Sequence, residues 1–167
     1  MTEPLRPMTQ RIEDLLKERD CWFETFSHGE VLTSLEAAAT RPGYSLHQGA
    51  KALIVRFKPR GGSKQFALLI MAADMMFDNR KAKEVLNTKD LRFATEAEVR
   101  EVTSGILPGG VPPFGNLFGL EVYLDQAIMD VDKIVFNAGD RRFSVALRLK
   151  DYVNLVNPKP VDITKHS

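Results

Sequence analysis

Three stretches of this chain carry residue types and spacings with chemical potential. Lys51 opens a row with Leu53, Val55 and Phe57 at every second position. That period puts four side chains on one face of a strand. An ammonium at the mouth of an apolar row can hold an anion or a polarised carbonyl, and partial burial would strengthen the attraction. The competing reading is a strand-end lysine that reaches out to water. The second stretch is Gly105-Ile106-Leu107-Pro108-Gly109-Gly110-Val111-Pro112-Pro113-Phe114-Gly115, eleven residues with four glycines and three prolines. Glycines let backbone approach a ligand and prolines stiffen the path. Amides exposed there could bond a substrate carbonyl, a ribose hydroxyl or a phosphate. No Gly-Lys-Ser/Thr follows, so the loop is not a P-loop. The third stretch, Phe136-Asn137-Ala138-Gly139-Asp140-Arg141-Arg142, ends a strand in a polar turn. Asp140 there reads equally as a binding carboxylate and as a turn residue bonding its own backbone.

Other candidates carry less. Cys21, beside Trp22, reads as a packing residue with no base arranged for it. Ser104 and Ser144 lack a G-x-S-x-G context. One cysteine excludes an intramolecular disulfide, and His28, His47 and His166 are too scattered for metal-ligand spacing, so no metal is expected. Arg80, Lys81 and Lys83, with Asp78 and Glu84, form a charged helix face that could also touch a nucleic-acid backbone.

The elements that must position these residues are legible. Thr9 to Asp20 has helical periodicity, and Trp22 to Phe26 reads as a short strand. Thr33-Ser34-Leu35-Glu36 and Thr95-Glu96-Ala97-Glu98 match capping boxes, and Asp78 caps a helix to about Leu86. Lys51–Lys58 and Gln65–Ala73 form a hairpin around Pro59-Arg60-Gly61-Gly62-Ser63. Further strands are predicted at Leu120–Leu124, Lys133–Asn137 and Arg142–Leu149, then a short helix at Asp151–Val156 and an edge strand at Val161–Thr164. Hairpins interrupted by helices do not repeat a βαβ unit. The fold class is therefore α+β, with a curved, barrel-like, mixed or antiparallel sheet and helices packed outside.

The 167 residues fit one domain, 1–167, with 44% hydrophobic and 27% charged residues. No apolar run approaches the roughly 20 residues that cross a bilayer, and the first ten residues lack a signal-peptide pattern. A cytoplasmic protein is expected, without membrane or DNA partners. A net charge of +1 confines any nucleic-acid contact to a local patch.

The order of these features resembles the YbaK/prolyl-tRNA-synthetase-associated editing domains. It runs from Thr33-Ser34 through Gly49-Ala50-Lys51-Ala52-Leu53-Ile54-Val55 and Gly109-Gly110-Val111-Pro112-Pro113-Phe114-Gly115 to Asn137-Ala138-Gly139. The resemblance covers about residues 20–156. The family's lysine matches Lys51, and its G-x-x-x-P motif matches Gly109 and Pro113. The resemblance implies a deacylase acting in trans on the 3′ end of mischarged aminoacyl-tRNA, with Lys51 catalytic and no cofactor. Substrate binding would fall to Gly109, Gly110, Val111, Pro113, Asn137, Gly139 and Asp140, with tRNA contacts from Arg80, Lys81 and Lys83. Lys51 would hold the 3′ end while the Gly109 and Gly110 amides stabilise charge on the carbonyl oxygen. In several relatives the chemistry is substrate-assisted, which suits a chain without a legible nucleophile. A synthetase is an implied partner. The alternative is a pocket that binds aminoacyl-tRNA or a small ligand without turnover. Phe136-Asn137-Ala138-Gly139 departs from the histidine-containing stretch of the alanine-specific relatives, so the amino acid stays open.

Overall fold

Alternation along two hairpins sets the architecture. In β7 (Phe143–Arg148), Phe143, Val145 and Leu147 enter the core while Ser144 and Ala146 face the other way. In β2 (Ala50–Pro59), Ala50 and Ile54 enter the same core, whereas Val55 and Phe57 join a second, smaller cluster on the opposite face. The computed structural model describes residues 7–29 and 41–166. The helix expected from the Thr33–Glu36 capping box lies outside the described residues.

The remaining elements are α1 (Pro7–Glu18), β1 (Phe23–Ser27), β3 (Gln65–Ala72), α2 (Asn79–Val85), β4 (Thr88–Phe93), α3 (Glu96–Val102), β5 (Val122–Asp125), β6 (Lys133–Asp140), α4 (Leu149–Val156) and β8 (Lys159–Val161). They build a mixed α+β fold with two sheets, in the orders β1-β7-β6 and β4-β2-β3-β5-β8. The first is antiparallel throughout. In the second, β4, β2 and β3 are antiparallel, and β5 and β8 add in parallel. Among the described residues a single parallel bridge, Gly49 to Val135, joins the sheets. The pairing thus leaves two ladders rather than a closed barrel. The main core draws on both, with Leu68, Ile70, Ile134, Val145 and Tyr152 fully buried.

Local chemistry accounts for the ends of the elements. Asp78 accepts the Lys81 amide at 3.1 Å, and Thr95 and Glu98 close a reciprocal capping box. Buried Asp125 ties β5 to the C-terminal segment, accepting from the Ile163 amide at 2.8 Å and the Thr164 hydroxyl at 2.9 Å. β4 was not expected from the sequence. Four of its six residues, Lys89, Asp90, Arg92 and Phe93, are exposed, as an edge strand allows. No helix among the described residues is long and apolar enough to cross a membrane.

Candidate functional site

The site begins at a defect in a ladder. β6 and β7 pair Asn137 with Ser144, but the next pair is Asp140 with Phe143, so Ala138 and Gly139 bulge out of β6. Gly139 sits at φ +92°, and a Cβ there would lie 3.0 Å from Met8 side-chain atoms. Glycine is required both by the backbone angle and by the close approach of α1. The Thr9 hydroxyl reinforces the approach, donating to the Ala138 carbonyl at 2.7 Å.

The bulge seats the glycine-rich loop. The Gly139 amide donates to the Gly110 carbonyl at 2.8 Å, and Asn137 Nδ2 donates to the Gly109 carbonyl at 2.6 Å. Arg141 Nε donates to the Pro108 carbonyl at 2.7 Å. From the core side, the Tyr152 hydroxyl donates to the Pro113 carbonyl at 2.7 Å. Burial pushes the Tyr152 pKa far up, so the hydroxyl keeps its proton for this bond. Val111 and Pro113 are buried anchors, while Gly109 is exposed. The Gly110 amide is committed to a turn, donating to the Leu107 carbonyl at 3.0 Å. Of the two amides expected to face a substrate, Gly109 alone remains uncommitted among the described residues.

A polar cluster that the sequence did not suggest continues from Asn137. Ser144, fully buried, meets His28 Nε2 at 2.9 Å, Arg41 Nε at 3.1 Å and Asn137 Oδ1 at 3.0 Å. His28 Nδ1 faces the Gly29 carbonyl at 2.8 Å. The single Ser144 hydroxyl proton goes to Asn137 Oδ1, Arg41 Nε donates to the hydroxyl oxygen, and His28 Nε2 completes the contacts of that oxygen. Arg41 Nη2 donates to Asn137 Oδ1 at 3.0 Å. Arg41 is buried, which pulls its pKa down to about 10, so the guanidinium stays charged at neutral pH. Among the described residues it pairs with no carboxylate.

Lys51 is related to this cluster through the seam between the sheets. A Cβ built on Gly49 would lie 3.7 Å from Arg41 Nη1, so the guanidinium spans from the side of Gly49 to Asn137. Lys51 is two residues past Gly49 along β2, and Asn137 is two residues past Val135 along β6. Alternation therefore carries both side chains to the face that Arg41 covers, with Lys51 about 7 Å along the strand from Gly49. Lys51 is exposed, and among the described residues it makes no hydrogen bond or ion pair.

Other predicted residues take local roles. Asp140 accepts from the Arg142 amide at 2.9 Å and from Arg142 Nη2 at 2.6 Å, which is the turn role. Lys81 reaches both Asp162 oxygens at 3.1 Å and the Thr164 carbonyl at 2.8 Å, and so fastens α2 to the C-terminal segment. Arg80 and Lys83 line a shallow groove with Arg60. The Cys21 thiol is raised by burial and by Asp151, away from nucleophilic use. His28, Arg41 and Ser144 escaped the sequence reading because no local motif marks them. The available signal was Ser144, a polar residue in the otherwise apolar run Phe143-Ser144-Val145-Ala146-Leu147.

Comparison with known proteins matches residues 28–155 to the model of the aminoacyl-tRNA editing domain. The multifunctional Ser/Thr-tRNA deacylase ProXp-y of Escherichia coli (strain K12) is 33% identical over 157 residues, covering 93% of this chain and 92% of that protein. A proline–tRNA ligase of Ralstonia nicotianae is 29% identical over 119 residues, 71% of this chain but 21% of the ligase. Among solved structures, one described as a proposed trans-editing enzyme for prolyl tRNA synthetase superposes with a TM-score of 0.80 at 25% identity, covering 98% of this chain and 100% of that one. The matched segment spans every element that frames the bulge, the loop and Lys51 except α1, and on it the chain belongs to the aminoacyl-tRNA editing domain family.

Proposed function

We propose that this chain, an aminoacyl-tRNA deacylase by family, hydrolyses the ester between a wrongly attached amino acid and the terminal ribose of tRNA, acting in trans in the cytoplasm. Lys51 holds the negatively charged 3′ end. The Gly109 amide faces the ester carbonyl, and the loop behind it is fixed by Asn137, Arg141 and Tyr152. The seam at Gly49 and Val135 completes a curved, barrel-like wall behind the substrate. The reaction adds water across the ester: hydroxyl goes to the carbonyl carbon, and the proton ends on the departing ribose oxygen. The neighbouring ribose hydroxyl orients the water, so the protein supplies position and electrostatics. Ser144 is buried and bonded to three partners, which suits a support for the loop and not a nucleophile.

The observation that carries this reading is the Arg41–Asn137–Gly109 chain of bonds, which links the motif loop to a guanidinium lying against Gly49, just ahead of the end of β2 where Lys51 stands. Serine and threonine are the first amino acids to test, because they name the activity of the Escherichia coli relative. The decisive experiment is single-turnover hydrolysis of a panel of mischarged tRNAs. Release of one or more amino acids, well above the buffer rate, is expected. Tight binding of aminoacyl-tRNA with no hydrolysis across the panel would replace this reading with a non-catalytic binding module, with or without a synthetase partner.

A further inference from the structure

β2 runs away from the site and ends in the hairpin Pro59–Lys64, where the surface changes character. Lys58, Arg60, Lys64, Arg80, Lys83 and Lys89 gather there from β2, its hairpin, α2 and β4. Glu84 and Asp90 are the carboxylates that line the same depressions. Arg56 and Arg92 line the cleft beside Lys64 as well, but both are paired with Glu98, which leaves six cations against two carboxylates, a marked local excess in a chain of net charge +1. The depressions form one track. Arg60 is shared by the groove of Arg80 and Lys83 and by that of Lys58 and Lys89, and Asp90 links the latter to a cleft beside Lys64. Arg80 meets Glu84 at 3.5 Å on the exposed helix face. Among the described residues, the side chains of Lys58, Arg60, Lys64, Lys83 and Lys89 make no hydrogen bond or ion pair.

We infer that this track is a second docking surface, which grips the phosphate backbone of the helical part of tRNA while its 3′ end occupies the site. The inference rests on the aminoacyl-tRNA reading above. Arg60 lies nine residues beyond Lys51, about 30 Å along an extended strand. At that distance the track meets the duplex behind the unpaired 3′ end. Uncommitted ammonium and guanidinium groups in a shallow open groove suit phosphates and carry no sequence code. Affinity would then come from counterion release at the track, and the chemistry from the Lys51 end.

The test uses two variants of the full chain, Lys58→Ala/Arg60→Ala/Lys89→Ala and Arg80→Ala/Lys83→Ala. Binding of uncharged tRNA is followed by fluorescence anisotropy across a salt series. Hydrolysis is compared on full-length aminoacyl-tRNA and on an aminoacylated CCA trinucleotide. The triple variant is expected to bind uncharged tRNA at least about tenfold more weakly, with a salt slope shallower by about 2 to 3. KM should rise on full-length tRNA with kcat unchanged, and the trinucleotide should be hydrolysed at the wild-type rate. Wild-type affinity and slope in both variants would overturn the inference, whatever happens to aggregation. That is the outcome if the charges serve only to protect the β4 edge. The α2 double variant leaves the edge strand intact and decides the matter if the triple variant folds poorly. The anisotropy arm needs no turnover, so a chain that binds uncharged tRNA through the track but hydrolyses nothing would keep this surface and sink the deacylase reading alone.

Discussion

The two ends of β2 are built on opposite principles. At the Gly49 end, Arg41, Asn137, Ser144 and His28 are bonded to one another and to the Gly109 carbonyl, and several of these groups are buried. At the Pro59 end, cations stand in open grooves with little to hold them. Bonds fixed in advance make geometry, which a transition state rewards. Loose charges make affinity at long range and ask little of geometry. The difference teaches how to separate the two functions: damage at the first end should lower the rate, and damage at the second should weaken binding.

Lys51→Ala gives the largest expected effect. Among the described residues Lys51 makes no hydrogen bond or ion pair, and it is exposed. Hydrolysis of mischarged tRNA should fall on the order of 100-fold, while stability changes by no more than about 1 kcal/mol. Lys51→Arg should also be impaired, because a planar fork does not replace a compact ammonium. Single-turnover rates with a parallel denaturation curve measure both. A well-folded Lys51→Ala protein with wild-type rates would make the lysine a bystander and dissolve the comparison.

Next come the two fastenings of the loop. Tyr152→Phe removes the hydroxyl that serves the buried Pro113 carbonyl, and should cost about 1–3 kcal/mol of stability. Its rate per folded molecule should change little, because Val111 and Phe114 still pack in the core. Asn137→Ala should do the reverse. It frees the Gly109 carbonyl and one arm of Arg41 at a half-exposed position, so the rate should drop roughly tenfold, about 1.4 kcal/mol of barrier, with a smaller loss of stability. Chemical denaturation and single-turnover kinetics on both proteins check whether the core-side and surface-side bonds divide in this way.

How much of this was visible beforehand follows from where the information lies. The β2–β3 hairpin, the caps at Asp78 and Thr95 and the inward face of β7 are encoded by neighbours in sequence, and they stand where the periodicity put them. The family motifs, Lys51 and Gly109 to Pro113, were equally legible as patterns. The bulge at Ala138–Gly139 was not, because it exists only as a mismatch between two strands. Nor was the Arg41–Ser144–His28 cluster, in which Ser144 lies more than 100 residues from both partners. β4 was not anticipated, because an edge strand that buries only Thr88 and Leu91 shows no period-2 alternation. Lys81 looked like its neighbours Arg80 and Lys83, and only the return of the C-terminal segment supplies its partners, Asp162 and the Thr164 carbonyl.

The smallest expected effect concerns the residues that lead into β2. His47, in a 3-10 turn just ahead of Gly49, is clamped between two carboxylates, with Nδ1 to Asp74 at 2.8 Å and Nε2 to Asp130 at 2.9 Å. The bond to Asp74 is the main cause of a pKa raised above the ordinary 6.5; burial opposes it, and the bond to Asp130 adds to it. A histidine whose folded pKa lies above its unfolded value contributes stability that is fully present below about pH 6.5. That contribution is lost as pH rises through the folded value. Because Asp130 is largely exposed, solvent and salt screen the pair and the effect should be small. Melting temperatures of wild type and His47→Gln across pH 5.5 to 8.5 isolate it. The wild type should lose a slight advantage over the variant on the alkaline side, and the loss should shrink in high salt. The clamp holds the entry to the ordered end of β2 and touches nothing at the hairpin, so tRNA affinity should not follow the same curve. If uncharged-tRNA binding tracked the His47 titration instead, the two ends of the strand would be coupled, and the division of labour between them would have to be redrawn.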